Sequence, residues 1–222
     1  MMCGGADDVL RRLAKTLGTS RAWVLERSVL DALGVLPVDV LGGVPPRCLD
    51  VREAVASARS RGELLAVDLT AVCGVGCPAI RLGAHLVTLS AGDGLVLVAS
   101  SADLPRQMLE SLDAADMELD HGQCEALSAQ LDELLPRHRA ASDAAQVVAS
   151  YLVCHPLVRE VAYPGLKADA THEIAARTLE SGFGPRIGWR TVHSSEWMSL
   201  TLLATDDPRE VIADLEGGVL HV

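Results

Sequence analysis

The chain has 222 residues, 49% of them hydrophobic, which is enough for one large core or for a core with a small second layer. Aromatics make up only 3%, so the interior must be built from Ala, Val and Leu, as in helix-on-sheet packing. Thirty acids against nineteen bases give a net charge of −11 with no basic stripe, which excludes nucleic-acid and anionic-membrane binding.

Asp7 to Leu17 places Val9, Leu10, Leu13 and Leu17 on one face and predicts a helix stopped by Gly18. A second helix is predicted from about Trp23 to Leu33. Leu36 to Arg47 carries Gly42, Gly43, Pro45 and Pro46 and predicts a loop. Asp50 is a good N-cap for an amphipathic helix to Arg61, and Leu64 to Leu69 predicts a strand. Asp68 is the one charge in LLAVDL, and a carboxylate at the end of a buried strand needs a partner or a role. A helix N-cap, a salt-bridged structural acid and a functional acid are all open to it.

His85 to Ser100, HLVTLSAGDGLVLVAS, predicts strand, tight turn, strand, with Ser90, Ala91, Gly92, Asp93 and Gly94 in the turn. A long helix is expected from about Cys124 to Cys154, kinked at Pro136. Beyond His155-Pro156 come a strand (Val158 to Ala162), a turn at Pro164-Gly165 and a helix (Thr171 to Glu180). Strand material follows near Ile187 to Val192 and Met198 to Leu203, and then a last helix from Pro208 to Leu215. This describes a small α+β layer following a larger α/β unit.

No run is long enough to span a membrane and the start lacks a signal peptide, so the expected place is the cytoplasm. Six scattered cysteines suit free thiols in a reducing compartment. Cys73 and Cys77 are weighed for thiol chemistry but read more simply as a small-residue loop. The histidines show no ligand spacing, and no metal site is expected.

Tyr151 to Gly184, YLVCHPLVREVAYPGLKADATHEIAARTLESGFG, carries His-Pro, Tyr-Pro-Gly-Leu, His-Glu and Ser-Gly-Phe-Gly in order. With these four signatures the segment resembles the C-terminal domain of the pyridoxal-phosphate enzymes of trans-sulfuration, the Cys/Met metabolism family of cystathionine synthases and lyases. PPRCLDVREAVASARSRGELLAVDLTAV is similar to the family's helix and strand ending Val-Asp-Asn-Thr. REVIADLE is similar to its last helix, and LRRLAKTLGTSRAWVLERSVL more weakly to its first helix pair.

The resemblance implies an α/β fold: a shortened fold-type-I transferase-like large domain at 1–150, with N-terminal helices in 6–33, and a C-terminal α+β subdomain at 151–222. It also implies roles. Asp68 stands where the family's acid pairs with the pyridine nitrogen, Thr70 matches the Thr of Asp-Asn-Thr, and Ser90 opens the turn whose hydroxyls hold phosphate. They are the expected remnants of a cofactor site. The family's Schiff-base lysine falls at Asp93, which cannot form an imine, and the chain's only lysines are Lys15 and Lys167.

The phosphate turn reads Arg27-Ser28-Val29 without its glycine, the ring-covering segment has no counterpart between Leu33 and Pro45, and the substrate Arg falls at Leu200. No catalytic residue and no bound cofactor are therefore expected, with at most weak non-covalent binding of pyridoxal phosphate. The expected function is that of a non-catalytic relative, a scaffold or partner subunit that forms a homo-oligomer or joins a full-length paralogue. The alternative is a pyridoxal-phosphate lyase or γ-replacement enzyme acting on cysteine, cystathionine or an acylated homoserine.

Overall fold

The computed structural model describes residues 6–92, 94–100 and 104–218. α1 (Ala6–Leu17) leads into β1 (Arg21–Glu26) and α2 (Arg27–Ala32), followed by the short strands β2 (Val38–Asp39), β3 (Leu41–Gly42) and β4 (Arg47–Cys48). α3 (Val51–Arg61) precedes β5 (Ala66–Asp68), and a 3-10 turn at Thr70–Val72 precedes β6 (Leu86–Gly92) and β7 (Leu95–Ser100). Then come α4 (Arg106–Ala115), α5 (His121–Cys154), β8 (Val158–Ala162), α6 (His172–Thr178), β9 (Arg186–Thr191), β10 (Met198–Thr201) and α7 (Pro208–Gly217).

A five-stranded mixed sheet in the order β1-β7-β6-β5-β2 forms the centre. β5 runs parallel to β2 and β6, while β7 is antiparallel to β6 and β1. Because side chains alternate across a strand, the sheet buries both faces. Trp23, Leu25, Ala66, Leu86, Val96 and Val98 pack with Leu30 of α2 and Leu112 of α4. On the opposite face Val24, Leu89 and Leu97 meet α1 and the first half of α5, and Val67 and Val87 meet Val51 and Val55 of α3.

The helix expected at Trp23–Leu33 is corrected: residues 21–26 are a strand and only 27–32 are helical. The consecutive apolar residues Trp23, Val24 and Leu25 send alternate side chains into two different cores, which a helix cannot do. The same strand separates the two members of the supposed first helix pair. The 36–47 loop contains β2 and the β3–β4 pair, and the 64–69 strand contracts to Ala66–Asp68.

Asp50 caps α3 by accepting a hydrogen bond from the Glu53 amide, and Gly62 closes it at φ 70°. α5 starts with a capping box between Asp120 and Gln123 and continues through Pro136 and residue 150. Its first half presents Leu127, Leu131 and Leu134 to the large sheet, and its second half presents Ala145, Val148, Ala149 and Leu152 to the C-terminal layer. That layer is the antiparallel sheet β10-β9-β8 with α7. Among the described residues no helix is long and apolar enough to cross a membrane.

The layer is clamped to α5 by the 180–184 segment. Gly184 donates its amide to Ser142 Oγ (3.0 Å), and the buried Tyr163 hydroxyl sits 3.1 Å from Ser142 O and 3.2 Å from Gly184 O. His138 Nε2 lies 3.1 Å from Glu180 O, and the Glu180 amide donates to Gly76 O at 2.8 Å.

Candidate functional site

Asp68 ends a strand flanked by parallel neighbours on both sides, aligned with Asp39 of β2 and Thr88 of β6. Its Oδ1 accepts from the Thr70 amide at 2.7 Å, an Asx turn that leads into the 3-10 turn. Oδ2 lies 3.9 Å from Nη2 of Arg27, and the side chain is only 11% exposed. Thr70 Oγ1 accepts from the Ser90 amide at 2.9 Å, fastening the β5 end to the hairpin turn. Arg27 donates its own amide to Gly94 O at 2.9 Å, so the β1–α2 junction closes on the same turn.

Three segments distant in sequence therefore converge: the end of β5, the β6–β7 turn and the start of α2. Asp68, Thr70 and Ser90 are brought together, with Arg27 beside them. Asp93 lies outside the described residues. Ser28 donates its hydroxyl to Glu26 Oε2 at 3.3 Å. Leu69 is buried in the core, and Leu200 packs in the cluster of the C-terminal layer. Lys15 lines a cleft with Gly74, Cys77, Arg81 and Glu180, and Lys167 lines another with Arg47 and Asp169. In the sequence Arg27 stands only as the first residue of the altered phosphate turn Arg27-Ser28-Val29, whose missing glycine falls at Ser28. Its charge pairing with Asp68 had no local signal, because 41 residues of chain separate them.

The other candidates have structural partners. His155 Nδ1 accepts from the Leu157 amide at 3.2 Å and its Nε2 is 3.3 Å from Glu216; His172 Nδ1 is 2.8 Å from Pro164 O. Burial pushes the Cys77 thiol up to about 12 and raises that of Cys73, which withholds the thiolate needed for nucleophilic chemistry. Among the described residues no group of three His, Cys, Asp or Glu side chains is arranged to hold a metal ion.

The family model "Cys/Met metabolism PLP-dependent enzyme" matches residues 38–202. The fold is shared with cystathionine gamma synthase from Xanthomonas oryzae pv. oryzae, solved in complex with aminoacrylate and cysteine and also with cystathionine. In both, the TM-score is 0.68 at 19% identity over 84% of this chain, which spans 65% of that chain's length. The apo structure of CalE6, a methionine gamma lyase from Micromonospora echinospora, matches with TM-score 0.79 at 16% identity, covering 97% of this chain and 85% of that one. No curated protein matches the sequence significantly.

These matches support the expected shortened fold-type-I architecture. They also correct the expectation of no cofactor: the matched family is PLP-dependent, and pyridoxal phosphate is the group it points to. The residues present fit one part of that group. Asp68 is a buried, oriented carboxylate of the kind that holds a protonated ring nitrogen, and the chemistry the group supplies when bound is that of an electron sink. For the covalent anchor, no lysine stands beside Asp68 among the described residues.

Proposed function

Because the chain belongs to the Cys/Met metabolism PLP-dependent enzyme family, we propose that it is a member that has kept the family scaffold and lost turnover, acting as a scaffold or partner subunit. The observation that carries this reading is one of sequence: the strand-end acid Asp68 is retained, while Asp93 occupies the sequence position where the resemblance places the imine-forming lysine. An aspartate supplies no amine, and its charge opposes a phosphate bound nearby. Arg27 supports the same reading, since its permanent charge already faces Asp68.

Purified protein supplied with pyridoxal phosphate and assayed on cystathionine, cysteine and an acylated homoserine is expected to stay at the uncatalysed rate. Sustained turnover above that rate would establish the alternative, a lyase or γ-replacement enzyme. A lysine adduct trapped by borohydride on Lys15 or Lys167 would show where its anchor comes from.

The partner role rests on exposed aliphatic side chains. Leu36, Val38 and Leu64 stand in the open around a cleft at the β2 side of the sheet, with Val35 and Met108 in its wall. Apolar groups gathered in this way favour association, either with a second copy or with a full-length paralogue. Light scattering of the purified chain at micromolar concentration is expected to give a mass above the 23.4 kDa of one chain. A single species at 23.4 kDa, with no complex formed on mixing with a full-length paralogue, would remove the partner reading.

A further inference from the structure

On a chain of net charge −11, three bases meet around one cleft that shares no residue with the Asp68 cluster. The cleft, of about 440 Å³, runs along β8, the edge strand of the C-terminal sheet, between β4, the end of α5 and the turn at residues 166–170. Arg47, Arg159 and Lys167 line it, with Val161 and Leu166 as apolar wall. Its size falls within the range of about 300–1,000 Å³ typical of small-molecule sites.

Asp169 gives the cleft a built floor. Oδ1 accepts from the Thr171 amide and from Thr171 Oγ1, both at 2.7 Å, and Thr171 Oγ1 in turn accepts from the Cys48 amide at 3.3 Å. Oδ2 is buried and has no hydrogen-bond partner, and the side chain is 1% exposed. Its nearest cation is Arg47 Nη1 at 3.6 Å, beyond hydrogen-bond reach. A buried carboxylate oriented from behind and unbonded in front holds Arg47 by charge and leaves the guanidinium N–H groups unspent.

The remaining charges lean the same way. Glu160, the other acid on the wall, is paired with Arg190. Arg159 and Lys167 are exposed, and among the described residues neither side chain has an ion pair or hydrogen bond. The cleft thus offers three cations, two acids that each face an arginine (Asp169 toward Arg47, Glu160 toward Arg190) and an aliphatic wall, which leaves Arg159 and Lys167 as its unopposed charges.

We propose that this cleft binds a small organic anion, with an oxyanion head held by Arg47, Arg159 and Lys167 and a short aliphatic body laid on the valine and leucine wall. The head is a carboxylate or a phosphate, two groups that a guanidinium and an ammonium recognise by the same charge-assisted hydrogen bonds.

Calorimetric titration of the full chain with sodium hexanoate, hexyl phosphate and hexylamine tests this. At least one anion is expected to bind with a Kd below about 1 mM, while the amine gives no heat of binding. The tighter of the two anions identifies the head group. The double variant Arg159→Gln/Lys167→Gln is expected to weaken the anion by about 10-fold or more, since each charge-assisted bond contributes on that order. The single Lys167→Gln variant, at an exposed turn, serves if the double variant does not fold and is expected to weaken binding several-fold. The proposal is overturned if neither anion binds, if hexylamine binds as well as they do, or if the variants bind undiminished.

Discussion

Gly182→Ala is expected to lower the melting temperature by about 5–15 °C, from a destabilisation of about 2–5 kcal/mol. Gly182 sits at φ 136°, a conformation closed to side-chain-bearing residues, and a Cβ there would lie 2.5 Å from Ser142 Cβ on α5. The neighbour is short, and its hydroxyl already takes the Gly184 amide, so neither side can yield without opening the clamp. Gly217→Ala is the matched control. It lies in α7 with nothing within 4 Å of a new Cβ, and is expected to be neutral or slightly stabilising. Thermal denaturation of both variants followed by circular dichroism separates backbone and packing strain at residue 182 from a general effect of losing glycine.

Acid is expected to loosen the same clamp through His138. Its imidazole is 1% exposed; a carbonyl can only accept, so Nε2 carries the proton toward Glu180 O, and Nδ1 is left bare with no partner. Burial, helped by the nearby charge of Arg139, holds the ring's pKa below 6.5. A depressed folded-state pKa means that the unfolded chain takes up the proton first. The stabilising contribution is therefore whole above about pH 6.5 and is lost as pH falls from there to the folded-state value. Urea midpoints measured from pH 8 to pH 5 are expected to fall more steeply for the natural chain than for His138→Gln, which keeps a donor for Glu180 O and does not titrate. Equal slopes would show that protonation of other groups sets the acid response.

Where the sequence alone was most informative, one local rule decided the outcome. β8 has its expected bounds, Val158–Ala162, because the His-Pro turn and Pro164 punctuate both ends. Asp50 caps α3 as expected, one carboxylate oxygen accepting from the Glu53 amide, while the other pairs with Arg177 of α6, a long-range contact with no local signal. Trp23–Leu33 misled because a short apolar run has no period of its own; its structure comes from strand β7, 70 residues further on, whose ladder it completes. α4 (Arg106–Ala115) is an element that the expected order did not contain; Leu112 is its one buried side chain, and no side-chain cap marks its start at Pro105.

The candidate site divides similarly. Asp68, Thr70 and Ser90 were legible as a group through the resemblance, and they are joined by the Thr70 amide and hydroxyl. Arg27 beside Asp68 and Arg47 beside Asp169 were not, because a long-range charge pair leaves no periodicity in either segment.

The continuity of α5 sets a rule about length rather than composition. One helix of 34 residues carries Leu127–Leu134 against the large sheet and Ala145–Leu152 against the C-terminal layer, so the residue count between them fixes their angular phase. Adding or removing one residue in that span turns the second half by about 100° and aims Ala145 and Leu152 at solvent, whereas a seven-residue change returns them to within about 20° of their place. A heptad change also carries the second half about 10 Å along the axis, away from the clamp at Ser142, so the length of this span is fixed in both phase and distance, while point substitutions on its outward side remain free to drift.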